Sequence, residues 1–408
     1  MKYGLIGEKL GHSFSPEIHA CIGDYRYELV ELTPEEVIPF FEKRDFCAVN
    51  VTIPYKETVI PLCDWIDESA RAMGAVNTVV NRNGKLYGYN TDFGGLKAII
   101  NHTGVDPKNK KALILGSGGT CKTACAVLRA MGIGEIVIAG RTPRQGIVGY
   151  DALPCDAEIL VNTTPCGMYP NLDGMAADPA QFPHLQAVID VIYNPLRTDL
   201  LQKAQALGIP HCGGLPMLAT QAILSAEHFF DRQFDTGQVA QMVRKIEKSK
   251  TNIVLIGMPA CGKTTVGKAL AQALGRPFFD LDEQLVRRIG RSIPDIFANE
   301  GEVAFRAYEH DTVRAMAGQT GCVIATGGGV VLNAENIRYL KKNGHLYFLD
   351  RSPDRLIPTA DRPTASSAQA LQQRFTERYP LYLQYGDCRI DADMTVSDVV
   401  KAILEDVL

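Results

Sequence analysis

A single tryptophan, Trp65, stands among 408 residues, and no run of about 18 apolar residues interrupts the chain. Without such a run no helix is expected to cross a bilayer, and without a charged-then-apolar opening segment no export is expected. An excess of either charge is also missing: 42 Lys and Arg against 46 Asp and Glu leave a net charge of −4 and no basic stripe. Nucleic acid and membrane are therefore not expected partners. Cysteine is present, but CxxC spacing is not. Eleven cysteines, an odd number scattered along the chain, argue against a disulfide framework or a zinc site and predict reduced thiols in a cytoplasmic protein. Cys121 and Cys125, one helical turn apart, read as small helix-packing residues. Internal repeats and low-complexity tracts are absent as well.

What is present points to nucleotides. A chain of 408 residues exceeds what one core serves and suits two or three domains. Gly116-Ser117-Gly118-Gly119-Thr120-Cys121 follows the aliphatic run 111–115, and Gly257-Met258-Pro259-Ala260-Cys261-Gly262-Lys263-Thr264 follows a second run that opens at Ile253. The first loop leads into a helix predicted over 120–131, the context in which backbone amides face a dinucleotide pyrophosphate. The second fits GxxxxGK[ST] and leads into a helix predicted over 265–274. In that pattern the amides cradle the phosphates of ATP, Lys263 neutralises the β and γ oxygens, and Thr264 ligates Mg2+. Two nucleotide sites imply two chemistries.

The fold class read from the pattern is α/β throughout. Over 1–93, strand-like runs alternate with helical stretches such as 34–43, and Asn83-Gly84 reads as a hairpin turn. Residues 94–213 carry the strand, glycine turn, helix, strand order of a doubly wound, Rossmann-like domain. Helices over 217–230 and 236–247 follow, and 214–246 is assigned with 1–93 to a substrate domain. The stretch 245–252 is charged and without an apolar period, so the linker is expected there. Residues 252–408 form a further α/β domain with a parallel sheet.

The strand closing the first nucleotide unit ends in Gly140-Arg141-Thr142-Pro143-Arg144. An acidic residue there would suit the ribose hydroxyl of NAD, whereas two guanidiniums and a hydroxyl suit the 2′-phosphate of NADP(H). A solvated turn with surface arginines is the plain alternative. A hydride delivered to a ketone leaves an alkoxide that needs a positioned acid. Lys56, ending Asn50-Val51-Thr52-Ile53-Pro54-Tyr55-Lys56, and Asp92, in Asn90-Thr91-Asp92, are the candidates; taken singly, each reads equally as a solvated charge.

Several stretches in order, namely His12-Ser13-Phe14-Ser15-Pro16, 50–56, Gly74-Ala75-Val76-Asn77-Thr78, 90–92, the Gly116 loop, 162–168, Asp190-Val191-Ile192-Tyr193 and Gly214-Leu215-Pro216-Met217-Leu218 with Gln221, resemble shikimate dehydrogenase over residues 1 to about 246. The resemblance implies that Ser13 and Ser15 hold the substrate carboxylate, that Thr52, Asn77, Tyr193 and Gln221 surround ring hydroxyls, and that Lys56 and Asp92 form the acid/base pair. It implies NADP(H) on Gly116, Gly118, Gly119, Thr120, Arg141, Thr142 and Arg144. Ser13 and Ser15 could instead cap a helix before Pro16. The sequence departs from the family between Arg144 and Ile159, where a short stretch replaces a full helix and strand.

In the second half, Asp280-Leu281-Asp282 reads as a strand end whose two carboxylates face opposite ways. One would serve the metal and the other a substrate hydroxyl. Phe305-Arg306-Ala307-Tyr308-Glu309 reads as helical, and Thr326-Gly327-Gly328-Gly329 offers bare backbone to a ligand. With Arg287 to Ile293 and Arg378-Tyr379-Pro380-Leu381-Tyr382, residues 252–408 resemble shikimate kinase. The resemblance implies ATP on Gly257, Cys261, Gly262, Lys263, Thr264, Thr265 and Arg362, and Mg2+ on Thr264 and Asp280. It places Asp282, Arg306, Gly328, Gly329 and Arg378 around shikimate, with Asp282 as base or orienter. The lid region is shorter than in the family; Pro358-Thr359 stand where the family has an arginine, and Arg355 is the candidate substitute.

The two halves fit one another, because the first family makes the hydroxyl that the second phosphorylates. A bifunctional enzyme of aromatic amino acid biosynthesis is expected, taking 3-dehydroshikimate to shikimate and then to its 3-phosphate. A quinate or other polyol-acid dehydrogenase fused to the kinase, or one half kept as a binding module, are the alternatives. Oligomeric state is not readable from the sequence.

Overall fold

Aliphatic runs become the inner strands of three sheets. The computed structural model describes residues 2–11, 13–235, 237–356 and 368–407, and the chain divides into the units Met1–Ile246 and Glu247–Leu408. In the first sheet Tyr27–Glu31, Tyr3–Gly7 and Ala48–Val51 run parallel. The hairpin Thr78–Arg82 and Lys85–Tyr89 adds antiparallel to Ala48–Val51, with Trp65–Ile66 at the far edge. Its turn has Asn83 at φ 53° and Gly84 at φ 81°, both left-handed as a two-residue type I′ connection requires. The helix Pro34–Lys43 spans the expected residues because both ends are written locally. Thr33 and Glu36 form a capping box, and Arg44 leaves the helix in the left-handed region.

The second sheet of this unit is all parallel, in the order His211–Cys212, Ala187–Asp190, Ile159–Asn162, Lys111–Leu115, Glu135–Ala139, Ile147–Val148. Ala112 to Leu115 are fully buried, as an inner parallel strand covered on both faces must be. The helix Gly119–Ala130 lays Cys121, Ala124, Cys125, Val127 and Leu128 into the core, so the two cysteines are packing residues. Between Arg144 and Ile159 the chain forms only the two-residue strand Ile147–Val148. The helices Asp92–His102 and Leu215–Phe230 pack closely at Gly95, where a Cβ would stand 2.7 Å from the Met217 carbonyl oxygen.

Two expectations are corrected. The stretch 245–252, where the units do divide after Ile246, is not irregular: the helix Gln238–Lys250 runs through its first part, and the strand Asn252–Ile256 begins two residues later. Val239, Met242, Val243 and Ile246 form an apolar stripe at helical spacing, and Lys245, Glu247 and Lys248 are exposed. Nor do Asp280 and Asp282 alternate on a strand. The strand is Phe278–Asp280, and Asp280 caps the helix Leu281–Ile289 by accepting from the Asp282 and Glu283 amides. Aspartate is among the strongest N-caps, and the cap ends the strand there.

The third sheet, in the second unit, is parallel in the order Phe278–Asp280, Val323–Ala325, Asn252–Ile256, Gly344–Asp350, Cys388–Asp391. The phosphate loop leaves Asn252–Ile256 and enters the helix Lys263–Leu274. No helix among the described residues is long and apolar enough to cross a membrane.

Candidate active sites

In the first unit Lys56 and Asp92 meet: Lys56 Nζ donates to Asp92 Oδ2 at 2.6 Å. Lys56 sits in the turn after Ala48–Val51, stitched down where the Val76 amide donates to its carbonyl. Asp92 opens the helix Asp92–His102, where the amide end of the helix favours a carboxylate. Asn77 Nδ2 donates to Asp92 Oδ1 at 2.8 Å, and the Asp92 amide donates to Asn90 Oδ1 at 3.0 Å. Each carboxylate oxygen thus has its own donor while the Asn90 bond holds the backbone, and the Lys56 side chain keeps a quarter of its surface open, 24% against 12% for Asp92.

Behind the pair lies a buried polar network that the residue pattern did not reveal. Asn50 Nδ2 donates to Ser225 Oγ at 2.8 Å, Ser225 Oγ donates to the Gln221 carbonyl at 2.8 Å, and Tyr27 OH donates to Asn50 Oδ1 at 2.8 Å. Thr91 links the network to Asn77 and Gln221, its amide donating to Asn77 Oδ1 at 2.9 Å and its Oγ1 to Gln221 Oε1 at 3.5 Å. Asn50 and Thr91 stood in the stretches singled out, but Ser225 and Tyr27 carried no local signal. Ser13, Ser15 and Tyr193 form a second group. Ser13 Oγ donates to Ser15 Oγ at 3.0 Å and lies against Tyr193, whose phenol burial pushes up while the Ser13 hydrogen bond opposes. The helix Ser15–Ile22 has Phe14 at its cap position without a side-chain bond, but Ser13 Oγ accepts from the Ser15 amide at 3.2 Å, so Ser13 also helps to open the helix. The Thr52 hydroxyl makes no hydrogen bond to the network among the described residues, although Thr52 directly follows the strand Ala48–Val51 that carries Asn50.

The glycine turn fits a dinucleotide. Gly116 has φ 102°, and Gly118 caps the helix Gly119–Ala130 without any side-chain bond, leaving its first amides uncommitted beside Thr120. A Cβ on Gly118 or Gly119 would meet nothing within 4 Å, so a pyrophosphate has room to approach. A cavity of about 410 Å³ opens beside the turn, lined by Ser117, Lys122, Arg129 and Arg144 among others. Arg141 and Thr142 are exposed next to it. This basic lining suits a phosphate on the adenosine ribose.

In the second unit Gly262, at φ 101°, caps Lys263–Leu274 without a side-chain bond. Lys263 is buried, and its Nζ donates to the Gly257 and Met258 carbonyls at 2.9 and 2.8 Å, with Cys261 Sγ at 3.7 Å. Thr264 Oγ1 donates to Asp280 Oδ2 at 2.7 Å. One hydroxyl and one carboxylate beside a phosphate loop fit Mg2+, which keeps waters and phosphate oxygens as its other ligands. Thr265 is exposed on the first helical turn.

Facing this loop, the triple glycine gathers the remaining groups. A Cβ on Gly327 would stand 3.0 Å from both Asp282 Oδ1 and Glu309 Oε1, and one on Gly329 would run into the Arg306 guanidinium. Arg306 donates to Glu309 Oε2 at 3.0 Å, and Gly328 O accepts from Tyr382 OH. Burial pushes the Glu309 carboxyl up against the pull of Arg306. Arg378 is buried beside them. Asp282, Arg306, Gly328, Gly329 and Arg378 thus stand around one spot. Arg362, Pro358 and Thr359 lie outside the described residues. Arg355 donates to the Asp393 carbonyl at 2.6 Å; a different residue, Arg351, reaches the loop, its Nη1 3.9 Å from a Cβ placed on Gly262.

Known proteins resemble both units. The shikimate dehydrogenase substrate binding domain model matches residues 5–79, and the shikimate kinase model matches residues 259–408. Shikimate dehydrogenase (NADP(+)) of Clostridium beijerinckii is 36% identical over 251 residues, which span 57% of this chain and 93% of that protein. A chorismate mutase/shikimate 5-dehydrogenase fusion protein from Clostridium acetobutylicum superposes with a TM-score of 0.57 at 32% identity, over 60% of this chain and 97% of that one. Shikimate 5-dehydrogenase from Thermus thermophilus, solved in complex with NADP(H) and shikimate, gives 0.54 at 30% identity, over 60% and 99%. The chain belongs to the shikimate dehydrogenase family through its first unit and carries a shikimate kinase domain in its second.

Proposed function

We propose that this bifunctional enzyme reduces 3-dehydroshikimate to shikimate and then phosphorylates shikimate to shikimate 3-phosphate. The observation that carries the reading is the Lys56–Asp92 contact at 2.6 Å, an ammonium fixed at the edge of a polar site in a chain that also holds a phosphate loop. NADPH supplies the hydride, and ATP with Mg2+ supplies the phosphoryl group. Lys56 donates the proton to the ring oxygen as the carbonyl is reduced, and Asp92 orients it and offsets its charge. Ser13, Ser15 and Tyr193 hold the carboxylate end, while Thr52, Asn77 and Gln221 address ring hydroxyls. In the second unit Asp282 orients the attacking hydroxyl, Arg306 and Arg378 hold the carboxylate, and Lys263 draws charge off the phosphates. The proposed division is 1–93 with 214–246 for the reduced substrate, 94–213 for NADP, and 252–408 for phosphotransfer. Eleven cysteines, an odd number without CxxC spacing, suit a reducing compartment, so the cytoplasm is the proposed location.

The test is a coupled assay with 3-dehydroshikimate, NADPH and ATP that follows NADP+ and ADP separately. Both products are expected. Absence of NADP+ removes the first assignment and absence of ADP from added shikimate removes the second; a faster reaction with quinate and NAD+ would move the first unit to the quinate dehydrogenases.

A further inference from the structure

Three guanidiniums, rather than two, gather where the acid substrate of the second unit would bind. Arg306, on the helix Gly301–Met316, is matched locally: Nη2 donates to Glu302 Oε1 at 2.9 Å and Nη1 to Glu309 Oε2 at 3.0 Å. Arg378, on the helix Ala368–Tyr385, is 3% exposed, and its Nε has no hydrogen-bond partner among the described residues. Arg374 stands four residues earlier on the same helix, so the two side chains share a face. Its Nη1 is buried and likewise has no hydrogen-bond partner among the described residues. Arg374 feels the charges of Arg378 and Arg306, opposed by Glu302 and Glu377, and burial first and Arg378 second lower its basicity.

Buried cationic nitrogens without acceptors are costly, and the cost grows when like charges crowd together. A bound carboxylate removes it, because guanidinium forks donate to carboxylate oxygens with charge assistance. Resemblance to the kinase family accounts for Arg306 and Arg378 only. We propose that Arg374 is a specificity-determining residue of the phosphotransfer site, donating from Nη1 to the substrate carboxylate alongside Arg306 and Arg378. The proposal rests on reading this unit as a shikimate kinase.

The intact chain provides the test. ADP release is measured against shikimate and against its methyl ester for the parent protein, Arg374→Met and Arg374→Lys. Loss of one charge-assisted hydrogen bond should raise the KM for shikimate in Arg374→Met by about tenfold to a hundredfold. The KM for ATP and the reduction of 3-dehydroshikimate should stay as in the parent, which reports that both units are folded. The KM for the ester should barely move, so the preference for acid over ester falls by the same factor, and Arg374→Lys should recover part of it. A KM that rises equally for acid and ester, or for neither, overturns the assignment while leaving the kinase reading intact. A parent protein that releases no ADP with shikimate overturns the kinase reading and the assignment together.

Discussion

An ammonium 2.6 Å from a carboxylate is useful to a reduction only if the carboxylate cannot turn away, and Asn77, donating to its other oxygen, provides that restraint. Lys56→Ala removes the proposed proton donor without disturbing a core residue. Reduction of 3-dehydroshikimate should fall by about 10² to 10⁴, the usual worth of a positioned acid, with phosphorylation unchanged. NADPH oxidation measures it, and a rate close to the parent's would assign the proton to another group. A second carboxylate behaves differently. Asp190 is fully buried and accepts from Thr198, Ile192 and Asn162, yet burial outweighs these bonds and lifts its carboxyl from 3.8 to about 6. Below the unfolded value both states are protonated and the group contributes nothing. As pH rises toward 6 the unfolded chain ionises first, so the native state binds more protons and loses stability. Asp190→Asn abolishes that titration. The melting temperature of the variant relative to the parent should therefore climb between pH 4 and pH 7, and a difference that stays flat across this window would show that the side chain does not titrate as described.

Elements whose ends are marked by nearby residues are readable in the sequence; those that depend on distant packing are not. The helix Pro34–Lys43 carries its own capping box, and Lys111–Leu115 is an unbroken aliphatic run that only a buried strand accommodates. The helix Gln238–Lys250 is obscured because its last turns are mostly charged, although the stripe ending at Ile246 is present. Asp282 is ambiguous because a strand end and a helix cap both accept aspartate, and only the bonds from the Asp282 and Glu283 amides to Asp280 decide between them. The pairing of Asp92–His102 with Leu215–Phe230 also has no local mark beyond two adjacent glycines. That pairing brings Asp92 and Gln221 into one network through Thr91. Gly95→Ala should force the helices apart, since the new methyl would stand 2.7 Å from the Met217 carbonyl. Overpacking of this kind costs about 1–3 kcal/mol, which lowers the melting temperature by a few degrees in a unit of this size. Thermal inactivation of the reductase should shift and that of the kinase should not; an unshifted reductase would mean that the helix pair yields without cost.

At the scale of the whole chain, the residues of both sites are legible as types, but their meeting is not. Lys56 and Asp92 are 36 positions apart, and Asn50 and Ser225 are 175 apart, separations that only the folded topology closes. Yet every bond described for the first site stays within Met1–Ile246, and every bond described for the second stays within Glu247–Leu408. Each unit also builds its own buried clusters, around Leu96 and Ile6 in the first and around Leu285 and Phe305 in the second. Two sites assembled from separate cores should fail separately. Lys263→Ala tests this at the most damaging position, because it removes the ammonium that bridges the Gly257 and Met258 carbonyls and that would face the transferred phosphoryl group. Loss of such preorganised charge should lower phosphorylation by about 10² or more. The same preparation should reduce 3-dehydroshikimate at the parent rate, measured as NADPH oxidation in the absence of ATP. If reduction falls with phosphorylation, the loop holds more than its own unit together, and the independence of the two chemistries is lost.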